Sequence, residues 1–155
     1  MKLAKEKDWR IASEIELFYK TKVKLSERPQ IDSSESVYKL ALKFWDPNKI
    51  EFFEQFKILL LNQSNIVLGF YEVSKGGITG TFVDLRLLFT AALKANATAL
   101  IMLHNHPSGK ILPSPSDRLI TKKVKEAGIV LDIKVIDHLI ITPESYYSFA
   151  DNDYL

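Results

Sequence analysis

The chain has 155 residues, 46% of them hydrophobic, which suits one globular domain with a sizeable core rather than a disordered chain. Its 21 Lys and Arg against 19 Asp and Glu leave a net charge of +2, so charge does not support a nucleic-acid partner. The absence of Cys excludes disulfides, no apolar run reaches the length of a membrane span, and the charged start MKLAKEKDWRIASEIEL lacks a secretory core, so the expected location is cytoplasmic, with no membrane partner.

Residues 1–12 are charged and read as a lightly packed start. Over residues 14–25, Ile15, Leu17, Tyr19, Thr21, Val23 and Leu25 alternate with mostly charged neighbours, which predicts a strand; Phe18 breaks the pattern. Lys20, Lys22 and Lys24 would line one face of it and read as a solvated, edge-protecting face rather than a nucleic-acid stripe. Asp32, with Glu35 three residues on, predicts a capped helix over 33–45 with Val37, Leu40, Ala41 and Phe44 inward. Asp46 and Pro47 end it, and 48–55 reads as a short helix. The apolar run at 56–61 predicts a strand covered on both faces, residues 62–65 a hairpin turn, and 66–73 the returning strand. Gly76, Gly77 and Gly80 match no phosphate-binding spacing and read as a tight loop that lets another segment approach. Then come a helix over 84–96, a strand over 98–104, a helix over 115–127 stopped by Gly128, a strand over 131–141 and a short one over 146–149. This alternation gives an α/β, or α+β, fold with a mixed sheet.

The chemistry concentrates in one segment. His104 and His106 end an apolar strand two residues apart, so both imidazoles point to one side. The chain leaves through Pro107 and Gly109 and returns Asp117 at a helix start, where Ser114 reads as the N-cap, Pro115 as the first helical residue and Asp117 as the third. Two imidazoles and a carboxylate make a three-ligand set for a catalytic zinc, with a fourth position for water. Asn105 points away from the pair. Asp137 and His138 are adjacent on a strand and cannot share a face; His138 reads first as a satisfied structural histidine, with a place behind the ligands or in a groove as the alternative.

His-x-His, ten residues, then Asp, with a Ser three before it, resembles the signature of the JAB/MPN (JAMM) metalloprotease-like domains. The string HNHPSG, the later PSPSD, DHLII from Asp137 and YYSFAD from Tyr146 look like the RadC branch of that family, over about residues 50–155. The resemblance implies a three-layer, cytidine-deaminase-like fold with a central curved mixed sheet flanked by helices. It implies a zinc hydrolase for an amide, peptide or isopeptide bond, acting on a protein or peptide substrate. Metal ligands would be His104, His106 and Asp117. By resemblance Glu54, just before the first core strand, is the general base, with Glu51 as fallback, and Ser114 stabilises the oxyanion. The alternative is a non-catalytic RadC-like module tied to DNA repair, recombination or mobile elements. Nucleobase deamination is disfavoured, because that chemistry uses cysteine ligands. One domain is expected over 1–155: an extension over 1–47, with a strand and a helix, then the catalytic-type core over 48–155. No helix-hairpin-helix region of the kind full-length RadC proteins carry is expected, and a homo-oligomer is compatible with the sequence.

Overall fold

The computed structural model describes residues 22–77 and 80–155. The expected strand at 14–25 lies outside them up to residue 21. Its remaining residues are not strand: the chain bends at 22 and 23 and enters a 3-10 turn at Leu25–Glu27, with Lys22 and Lys24 exposed.

Helix α1, Ser34–Phe44, starts one residue later than the Asp32 cap predicts. Ser33 is the N-cap: its hydroxyl accepts from the Ser36 N–H at 3.1 Å, and Ser36 Oγ accepts from the Ser33 N–H at 3.2 Å. Ser36, not Glu35, completes the box, and Glu35 instead pairs with Lys39 one turn on.

The short helix expected at 48–55 is absent. Lys49 and Ile50 donate to Asp46 O, and Phe52 and Phe53 to Lys49 O, which makes successive turns. The carbonyls of Ile50 and Phe53, which would continue a helix, instead accept from the side chain of Asn105. A buried tertiary partner has overridden local preference.

Strand β1 is Gln55–Leu61, and the turn after it is built by Asn62, whose carbonyl oxygen Oδ1 accepts from the Ser64 and Ile66 N–H groups. Strand β2, Val67–Lys75, returns antiparallel and runs two residues past the expected end. Helix α2 is Leu85–Lys94, capped by Asp84, and strand β3 is Ala99–Asn105. Helix α3 is Pro115–Val130, followed by β4, Lys134–Ile141, and β5, Tyr146–Ser148.

Gly128 does not stop α3, which runs on to Val130. Its role is close approach: a Cβ there would meet Ile133 O at 2.5 Å. The left-handed residue that turns the chain is Asp132, with φ 55°. The longer helix moves the start of β4 from 131 to 134.

The sheet runs β2-β1-β3-β4-β5, antiparallel except for the β3–β4 pair, which α3 bridges. All seven residues of β1 and all seven of β3 are buried, as strands covered on both faces require. On one face Leu59, Leu61, Ile101, Leu103 and Leu139 pack against Val37, Ala41 and Trp45 from the α1 side. On the other, Ile58, Leu60, Leu100 and Met102 pack against Leu88 and Ala92 of α2 and Val124 of α3. The protein is therefore an α+β fold of three layers, consistent with a JAB/MPN-like domain.

Candidate metal centre

Alternation along β3 carries His104 onto the face of Leu100 and Met102, beneath α3. His106 follows on the same side as the strand ends. Asp117 comes from the third position of α3. Its Oδ2 accepts from the Ser114 N–H at 2.7 Å, and Ser114 Oγ accepts from the Asp117 N–H at 3.1 Å. This capping box both starts the helix and fixes the carboxylate.

The three predicted ligands converge. His104 Nε2 lies 2.9 Å from His106 Nε2 and 3.1 Å from Asp117 Oδ1, and His106 Nε2 lies 3.3 Å from Asp117 Oδ2. Glu54 joins them: its Oε1 is 3.8 Å from His104 Nε2, and one ligand atom from each of the four residues lies within 4.8 Å of the others. Glu51 is exposed in the preceding turn and is not in the cluster.

The outer nitrogens decide what the inner ones present. His106 Nδ1 is 2.6 Å from the carbonyl of Lys110, which can only accept, so Nδ1 carries the hydrogen and Nε2 a lone pair. For His104 a longer relay does the same. The Thr121 hydroxyl donates to Asp117 O at 2.6 Å, so it accepts from His138 Nδ1, also 2.6 Å away. His138 Nε2 then accepts from His104 Nδ1 at 2.8 Å, which leaves His104 Nε2 bare.

Two bare imidazole nitrogens and a carboxylate thus face one another. Lone pairs at 2.9 Å repel unless a proton or a metal ion lies between them. Tetrahedral zinc with bonds of about 2.0–2.1 Å holds its donors roughly 3.3 Å apart, close to the separations found. The donor set fits such an ion.

In the metal-free protein, where a proton stands in the place of an ion, burial raises the Asp117 carboxyl, but hydrogen bonds from His104 and His106 overcome it and hold the group well below the usual carboxylate range. Burial pushes Glu54 up, with the two histidines pulling partly back. Burial lowers His106, yet its bonds to Asp117 and Lys110 leave it raised. Burial first, and His104 second, press His138 well below its ordinary value, so it stays neutral.

Three residues support the site from behind. Thr121 sits one helical turn after Asp117, a spacing that points to the same face. His138 bears on the site through His104, while its neighbour Asp137 points to the other face and docks the C-terminal strand, accepting from Ser148 Oγ at 2.6 Å and the Ala150 N–H at 3.0 Å. Asn105, fully buried on the α1 side, grips the segment around Glu54; a polar residue in an otherwise apolar run was the signal. The glycine loop also bears on the site, since the Glu54 N–H donates to Gly77 O and the Gly76 N–H to Glu54 O. Two other carboxylates are bonded away from the cluster: Glu72 accepts from Gln55 across the β1–β2 pair, and Asp84 pairs with Arg86.

A groove opens beside the cluster, walled by Phe56, Phe82, Val83, Leu85, Leu119 and Ile120. Phe82 and Leu119 are exposed. No helix among the described residues is long and apolar enough to cross a membrane.

Comparison with known proteins adds a lineage. The RadC-like JAB domain family matches residues 31–154. A UPF0758 protein of Flavobacterium johnsoniae is 56% identical over 98 residues, which cover 63% of this chain and 43% of the relative. A UPF0758 protein of Staphylococcus carnosus is 41% identical over 101 residues, 65% of this chain and 45% of that one. One from Porphyromonas gingivalis is 41% identical over 103 residues, 66% and 45%. These matches span less than half the length of the relatives.

Proposed function

This chain belongs to the RadC-like JAB domain family, and from that premise we propose that it is a zinc-dependent hydrolase of amide, peptide or isopeptide bonds, acting on a protein or peptide substrate. The observation that carries the proposal is the convergence of His104, His106 and Asp117, as bare donors, on a point that the Glu54 carboxylate also borders.

His104, His106 and Asp117 would hold the zinc. When bound, the ion supplies Lewis acidity, which polarises a carbonyl and lowers the pKa of a coordinated water toward ~7. Glu54 takes the proton of the attacking water as its oxygen bonds to the carbonyl carbon. It returns that proton to the leaving nitrogen as the carbon–nitrogen bond breaks. The raised Glu54 carboxyl suits a group that both accepts and releases a proton. The Ser114 hydroxyl accepts from the Asp117 N–H, which leaves its own hydrogen for the developing oxyanion. The apolar groove would seat side chains flanking the scissile bond.

The test begins with elemental analysis, where about one zinc per chain is expected in wild type and in Glu54→Gln, and little in His104→Ala or His106→Ala. Peptides and isopeptide-linked conjugates are then screened for cleavage. On any substrate found, Glu54→Gln should cut turnover by ~10²- to 10⁴-fold with zinc and fold retained. Equal zinc in wild type and His106→Ala, after loosely held metal is removed, would sink the site. Full activity in Glu54→Gln would move the base elsewhere.

A further inference from the structure

We infer that Asn105 is the residue that positions Glu54 for proton transfer, by locking the glutamate segment to the strand that carries the metal ligands; this rests on the role proposed for Glu54. Asn105 lies between the two histidines in sequence but on the opposite face of β3, in line with Ile101 and Leu103. It is fully buried there, where a polar side chain is costly unless bonded.

Its bonds all go to one place. Nδ2 donates to Ile50 O at 2.7 Å and to Phe53 O at 2.9 Å, and Oδ1 accepts from the Gln55 N–H at 2.7 Å. Both donors and one acceptor site of the amide are spent on this segment. The Phe53 carbonyl and the Gln55 N–H flank Glu54 on either side. The peptide groups of Glu54 itself are held by the glycine loop, its N–H by Gly77 O at 3.3 Å and its carbonyl by the Gly76 N–H at 2.8 Å. The backbone around Glu54 is therefore bonded at four points, two of them to one side chain.

The register explains the device. β1 pairs with β3 as far as Phe56 opposite His104. One step further the Gln55 N–H goes to the Asn105 side chain, just where the chain turns away toward Glu54. The amide thus ends the ladder at a set residue and ties the proton-transfer group to the ligand strand. Misplacement by about 1 Å can cost 10²-fold in rate, so such a tie bears on catalysis and not only on folding.

The test needs no substrate. Co²⁺ is loaded in place of zinc into wild type, Glu54→Gln, Asn105→Asp and the double variant, and its visible bands are followed with pH. Asn105→Asp keeps the acceptor for Gln55 and sets a carboxylate against two carbonyls. It should bind Co²⁺ to the wild-type level, speed amide exchange at Gln55 by about fivefold or more, and move the pH midpoint of the bands as Glu54→Gln does. The double variant should move it no further than Glu54→Gln alone. An unmoved midpoint in Asn105→Asp, or additive shifts, would show a purely structural amide and overturn the inference while leaving Glu54 its role. If Glu54→Gln itself left the midpoint alone, the reading of Glu54 would fall and this inference with it. Should Asn105→Asp not fold, Asn105→Ser replaces it in the same comparison. Collapse of both variants, seen by circular dichroism, would assign the amide to folding and also overturn the inference.

Discussion

His104 and His106 are readied as candidate ligands by what their outer nitrogens touch. Lys110 O sets one tautomer, and the relay from Asp117 O through Thr121 and His138 sets the other. Removing the relay with His138→Leu should weaken zinc binding by about 10- to 100-fold, read by competition with a chromophoric chelator. Thr121→Val should act in the same direction. Unchanged affinity in both would reduce His138 to packing. The same histidine gives the metal-free protein a pH dependence. Its folded pKa is lowered, so its contribution to stability is present above its ordinary value of 6.5 and lost as pH falls from there toward the folded value. His106, with a raised folded value, works the opposite way: its contribution is full below 6.5 and lost as pH rises through the folded value. His138 is fully buried and His106 is not, so the former should dominate. The metal-free protein should melt lower at pH 5.5 than at pH 7.5, and His138→Leu should flatten that difference. The His pair, Asp117 and the cap were legible as residue types at telling intervals. The relay was not, because its links join residues from separate strands and a helix.

At the scale of elements, α3 carries most of the consequence. Ser114→Ala removes the cap and should cost about 1 kcal/mol in denaturant melts. It should also weaken zinc binding, since the first turn of the helix positions Asp117. A loss of stability without a loss of affinity would show that Asp117 is held by Ser114 N–H alone. Gly128 yields a prediction with an unexpected sign. Helix propensity alone would favour Ala by up to about 1 kcal/mol. A Cβ at 2.5 Å from Ile133 O reverses this, so Gly128→Ala should destabilise by about 1–3 kcal/mol. Periodicity placed α1, α2, α3 and the five strands, because each shows one or two apolar faces. It misjudged the segment before Glu54, where the Asn105 side chain takes the carbonyls a helix would use.

For the whole molecule, apolar clusters cover both faces of the sheet, so the fold is expected not to depend on an ion. A chelator should therefore strip metal without unfolding the chain, as judged by circular dichroism. Re-adding zinc should raise the melting point, with a gain of about 2.7 kcal/mol at a free concentration 100-fold above Kd. Outright unfolding on chelation would mean that the centre is structural. With a net charge of +2, no sub-micromolar, steeply salt-dependent binding to DNA is expected in titrations at physiological salt.

The sequence by itself determined the layered fold and the types of the candidate ligands. Alternation and helical spacing are local consequences of how side chains leave the backbone, and a His pair two apart on a strand must share a face. Tertiary structure decided how those ligands are made ready. It put Glu54, fifty residues before His104, at the edge of the cluster, and turned the buried His138 toward His104. It also let Asn105 grip a distant loop. Such contacts come from strand order and register, with β1 laid beside β3 and β4 beside β3, and no local window of the chain records which strands become neighbours.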